Sequence, residues 1–141
     1  MTHISFYKNA DNKLSVARQL VAKAWGQDKN VLIYVSDKSI ADEMDRLLWT
    51  QPALSFIPHC QDNHRLAGST PIHIGSRMDT LARADVLINL DPDPPSVFSR
   101  FDRLLEIVTL DESDLVASRQ RYRFYKERGY HLVTHDLLDH D

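Results

Sequence analysis

The six residues Asn30 to Val35, NVLIYV, are apolar at nearly every position. A strand with one face in water alternates polar and apolar residues, whereas this run has no polar face to offer. It must be covered on both sides, which is the situation of a strand inside a parallel sheet with helices packed on either face. The flanking sequence fits. Leu14 to Trp25 places Leu14, Ala17, Val21 and Ala24 on one helical face, and Gly26 stands where a left-handed C-terminal cap is expected. After the strand, Ser36 is available as an N-cap, and Ile40, Met44, Leu47 and Leu48 form a second apolar stripe that stops before Pro52.

The same alternation extends along the chain. His3 to Tyr7 (HISFY), Ser55 to Pro58 (SFIP), Ile72 to Ile74 (IHI) and Asp85 to Leu90 (DVLINL) read as strands, and His59 to Pro71 as a loop. Prolines 92, 94 and 95 break the chain after Asp91. Arg103 to Val108 (RLLEIV) is short and continuously apolar around one glutamate, and is read as a strand. Thr109 and Glu112 match a capping box for the last helix, with Asp111 as the alternative cap, and Gly129 follows its basic last turn. His131 to His135 closes the pattern as a final strand. The expected fold is α/β: a Rossmann-like layered structure with a mostly parallel central sheet. A chain of 141 residues without repeats or linkers suits a single domain over 1–141.

Several function classes lose support at this stage. No apolar run reaches the roughly twenty residues that cross a bilayer, and the N-terminus lacks the layout of a signal peptide. Cys60 is the only cysteine, so no internal disulfide forms, which suits the cytoplasm. The turns after the first two strands, KNADNK and SDKS, contain no glycine. Phosphate-wrapping loops need glycines so that backbone N–H groups can approach the oxygens, and the four glycines of this chain lie far apart. A nucleotide enzyme of α/β type is therefore the alternative reading, without a glycine-rich phosphate loop to support it.

His59, Cys60 and His64 are too few for a closed zinc site, and no orienting group marks Cys60 as a nucleophile. Asp91 and Asp93 are explained by a proline-locked turn. No catalytic residue, metal site or cofactor is expected.

The last helix holds the remaining signal. Five of the seventeen lysines and arginines fall between Arg119 and Arg128, in a protein of net charge −3. With Leu115 at 0° and about 100° per residue, Tyr125, Ser118, Tyr122 and Leu115 fall between about 280° and 360°. On the same wheel Lys126, Arg119 and Arg123 fall between about 20° and 80°. A cationic stripe beside an apolar one suits a ligand end that is both oily and negatively charged. A solvated basic face is the plainer reading, and direct binding of single-stranded nucleic acid is another, disfavoured by the overall negative charge.

Three stretches, LLWTQPALSFIPH (47–59), DVLINLDPDPPSVFSRFDRLLEIV (85–108) and RQRYRFYKERGYHL (119–132), resemble the chi-subunit family of bacterial DNA polymerase III over almost the whole chain. The most specific pieces are the run from Trp49 to His59, with Pro52 within a residue of the family's spacing, and R-Q-R-Y-R-F-Y from Arg119. The resemblance implies a non-catalytic accessory subunit that pairs with the psi subunit and, through it, with the clamp-loader complex. It also implies binding of the acidic C-terminal tail of single-stranded DNA-binding protein, which ends in proline and phenylalanine with a free carboxylate. DNA would be reached only indirectly, and no membrane is involved.

By residue match, Arg119, Tyr122, Arg123 and Lys126 belong to the tail site, with Val108 as an apolar wall. Trp49 and Phe56 match the psi contact. Two positions depart from the family pattern: Arg123 stands where lysine is common, and Leu115 where a further lysine can occur.

Overall fold

The computed structural model describes residues 2–50, 59–61, 71–76 and 85–138. Among them are seven strands: β1 (His3–Ala10), β2 (Val31–Tyr34), β3 (His59–Gln61), β4 (Ile72–Gly75), β5 (Val86–Asn89), β6 (Arg103–Thr109) and β7 (Leu132–Asp136). Three helices join them: α1 (Lys13–Gly26), α2 (Lys38–Thr50) and α3 (Glu112–Glu127). The strands form one sheet in the order β3-β4-β2-β5-β6-β1-β7, and every pairing is parallel.

The all-apolar β2 behaves as its sequence requires. Val31 and Ile33 enter a cluster with Ala17, Val21 and Met44 from α1 and α2. Leu32 and Tyr34 enter the opposite cluster, which holds Phe6, Phe98, Leu104 and Tyr125. Helices α1 and α2 therefore cover one face of the sheet and α3 the other. The edge strand β7 is mostly exposed, and its polar composition follows from that place.

Several local expectations change. Gly26 is the last residue of α1, not its left-handed cap; the positive φ belongs to Asp28, at 60°. Ser36 does not cap α2. Asp37 does, its carboxylate accepting from the backbone N–H groups of Ser39 and Ile40 at 2.9 and 3.3 Å, because Ser36 is held by Asp91 instead. The Thr109–Glu112 box does not form either. Asp111 caps α3 by accepting from Asp114 N, while Thr109 donates to the Asp114 carboxylate from both its N–H and its hydroxyl. Residues 59–61, read as loop, form β3 beside β4, with Cys60 opposite His73. The predicted strand Ser55–Pro58 lies outside the described residues. At the far end of α3, Gly129 takes φ 87°, the conformation that a helix C-terminus favours in glycine.

At the carboxyl ends of the strands, neighbouring β1 and β6 send the chain to helices on opposite faces. Ligands of open α/β sheets bind in the crevice at such a switch point. Here an internal ion pair bridges it: Lys13 Nζ of α1 lies 2.8 Å from Asp114 Oδ1 of α3.

Candidate functional site

Helix α3 has two faces with different chemistry. Its buried residues are Ser118, Arg121 and Tyr125. Arg121, one of the five clustered cations, is 1% exposed. Its Nε donates to Glu106 Oε1 at 2.8 Å and its Nη1 to the carbonyl of Pro92 at 3.0 Å. Tyr125 donates its hydroxyl to Glu106 Oε2 at 2.6 Å, and Asn89 Nδ2 donates to the same oxygen at 3.0 Å. Burial pushes the Glu106 carboxyl above its ordinary range, opposed by the Arg121 charge and these hydrogen bonds. Burial, and then the Glu106 charge, push the Tyr125 phenol far up as well.

The network fixes the rotation of α3 and ties it to the proline-rich turn. Asn89 Nδ2 also donates to the Asp93 carbonyl at 3.2 Å, and Asp91 N donates to Asn89 Oδ1 at 3.0 Å. The Asp91 carboxylate in turn accepts from Ser36 N and Oγ.

With that rotation set, the opposite face is fixed too. Arg119, Tyr122, Arg123, Lys126 and Glu127 line one surface depression of about 350 Å³. Four of the five are predicted tail-site residues. Tyr122 is half-buried, its ring 5.3 Å edge-on from Phe6, and Lys126 stands 5.9 Å over its centroid. Arg119, Arg123 and Lys126 are exposed. The site therefore joins a packed aromatic wall to three exposed cations, with Glu127 as an opposing charge.

Ser118 is buried, its hydroxyl donating to the Leu115 carbonyl at 2.8 Å. Val108 is 5% exposed and belongs to the buried cluster against which Tyr122 and Leu115 pack; it does not line the depression. Arg128 turns away: its guanidinium stacks 3.5 Å from the Phe124 centroid.

Trp49, on the last turn of α2, is 54% exposed. Phe56 lies outside the described residues.

The sequence reading missed the buried ion pair. The signal was available on the helical wheel, where Arg121 falls at about 240°, beside Tyr125 and far from Arg119. A lone glutamate inside the apolar run RLLEIV was the complementary sign, since a buried carboxylate requires a partner.

Residues 1–133 match the family described as DNA polymerase III chi subunit, HolC. The chain belongs to that family. A relative named DNA polymerase III subunit chi from Pseudomonas aeruginosa is 33% identical over 141 residues, covering 97% of this chain and 98% of the relative. The subunit chi of Escherichia coli (strain K12) is 32% identical over 126 residues, 86% of each chain. A chi-family chain is an accessory, non-catalytic part of the DNA polymerase III complex, so its partners lie in the replication machinery.

Among solved structures, the C-terminal domain of the DEAD-box protein Dbp5 superposes with a TM-score of 0.66 at 12% identity, over 98% of this chain and 92% of that one. At that identity the likeness concerns the fold alone.

Proposed function

We propose that this chi-family chain holds the acidic C-terminal tail of single-stranded DNA-binding protein on the outer face of α3. We assign the contact with the psi subunit to Trp49 and Phe56, so that the chain couples the clamp loader to coated template in the cytoplasm. The observation that carries the tail site is the meeting of Arg119, Tyr122, Arg123 and Lys126 around one depression. A terminal phenylalanine would lie against Tyr122 while its carboxylate pairs with a guanidinium, whose planar fork accommodates two oxygens. The preceding aspartates would face the remaining cations.

Burying one phenylalanine contributes about 1.5–3 kcal/mol, and exposed ion pairs add ~0–1 kcal/mol each. Against the cost of ordering a flexible tail, the expected affinity is micromolar, about −8 kcal/mol. Screening by salt should weaken it.

Calorimetry with the tail peptide tests the reading. The intact peptide should bind, the peptide lacking its last phenylalanine should not, and Arg119→Ala should remove most of the affinity. Unchanged affinity in that variant would mean the tail sits elsewhere. ATP and a labelled oligonucleotide, titrated alongside, should give no signal; binding of either would favour a nucleotide or single-strand reading. For psi, Phe56→Ala should stay folded and lose co-purification.

Described helices include none long and apolar enough to cross a membrane.

A further inference from the structure

The far edge of the sheet carries a second cationic surface. Strand β7 pairs with β1 on one side and, among the described residues, with no strand on the other. Such an edge presents backbone N–H and C=O groups that can pair with an added strand. On the sheet face beside it, His3, Ser5, Arg103, His131, Val133 and His135 line a groove of about 430 Å³. Ser5, only 5% exposed, is the nearly buried polar residue of this lining, and Val133 is 41% exposed. His135 is oriented by stacking on Tyr7, with ring centroids 4.7 Å apart.

Arg103 also lines a neighbouring depression together with Lys23, and neither hollow is lined by an aspartate or glutamate. The groove beside the open edge thus holds one arginine and three histidines and no carboxylate, and Asp136, which ends β7, is held by Asn9 Nδ2 and the Leu138 N–H.

We infer that the outer edge of β7 accepts an extended acidic peptide segment of a partner protein as an additional strand. Its alternate side chains would place carboxylates beside His131 and His135 and an apolar residue beside Val133, with Arg103 across the groove as a more distant positive charge. Backbone pairing supplies orientation, and the charge supplies selection. Imidazole N–H groups donate to carboxylates whether the ring is neutral or charged, and Arg103 is a permanent cation. The edge strand favours a peptide over nucleic acid, which has no backbone amides to pair.

The probes are a blocked peptide alternating valine and glutamate, its valine–lysine counterpart, and a thymidine oligonucleotide, each added to isotope-labelled protein. The acidic peptide should shift the amide resonances of residues 131–136 and slow their hydrogen exchange, which a side-chain contact alone would not do. Arg103→Glu and His131→Ala, each verified as folded by its amide spectrum, should weaken it, the first by about tenfold. Arg119→Ala should leave it unchanged, which separates this edge from the α3 site. The inference is overturned if the shifts fall on residues 119–127 or nowhere, if the lysine peptide binds equally, or if the oligonucleotide moves the β7 amides as strongly.

Discussion

Arg119 and Arg121 leave the same helix two residues apart and meet opposite environments. Arg121 points into the sheet and is paired with Glu106, Asn89 and Tyr125 completing the network around that carboxylate. Arg119 stands at the rim of an open depression with Arg123 and Lys126. The buried guanidinium has traded its water for fixed partners. It orients α3 and has nothing left for a ligand except the buried Nη2, which is unpartnered among the described residues. The outer cations remain hydrated, contribute little to folding, and keep their charge for another molecule. A count of cations along this helix therefore overstates its binding capacity by two, since Arg121 is buried and Arg128 stacks on Phe124.

Breaking the inner network should have the largest effect. Arg121→Met strands the Glu106 carboxylate in the core and should cost about 3–5 kcal/mol in denaturant unfolding. The double variant Arg121→Met with Glu106→Leu should regain most of that loss, because it removes both charges together. If the double variant were no more stable than the single one, the pair would not be the source of the penalty.

Tyr125→Phe deletes one charge-assisted hydrogen bond without emptying the core. About 1.5–3 kcal/mol of lost stability is expected by the same measurement.

The bridge between the helix N-termini sharpens the contrast at an intermediate level. Burial disfavours the Asp114 charge, but hydrogen bonds from Lys13 and Thr109 and the Lys13 charge together outweigh it, and its pKa is lowered. A lowered carboxyl contributes stability that is full above the unfolded carboxylate range and is lost as pH falls through the folded value. Asp114→Asn should therefore cost about 1 kcal/mol at neutral pH. Its unfolding curves should converge with those of the parent in acid; a constant difference from neutral pH to acid would mean that charge is not the cause.

On the outer face, Arg119→Ala should change unfolding free energy by no more than about 0.5 kcal/mol while tail affinity collapses. A large stability loss there would erase the distinction between the two faces.

The fold was legible because its main cues are local. NVLIYV has no polar side, so it demands cover on both faces, and each apolar helical stripe supplies part of that cover. The errors sit where another partner, distant or nearby in the chain, competed with the capping rule. Ser36 has the chemistry of a helix cap, yet Asp91, 55 residues away, takes both of its donors. Thr109 likewise gives its hydroxyl to Asp114 and leaves the cap to Asp111. In the candidate site, the wheel placed Arg119, Tyr122, Arg123 and Lys126 together, while Val108 went into the core and Arg121 was not recognised as buried.

The layering of helices on a parallel sheet and the stripe of cations beside aromatics can be read from the residues alone, since both follow from periodicity in hydrophobicity and charge. Which arginine turns inward is settled by packing. That choice depends on where Glu106 of β6 and the Pro92 carbonyl come to lie against α3, and such distances arise only once separate elements pack. Burial then made one guanidinium structural and left its neighbours in water.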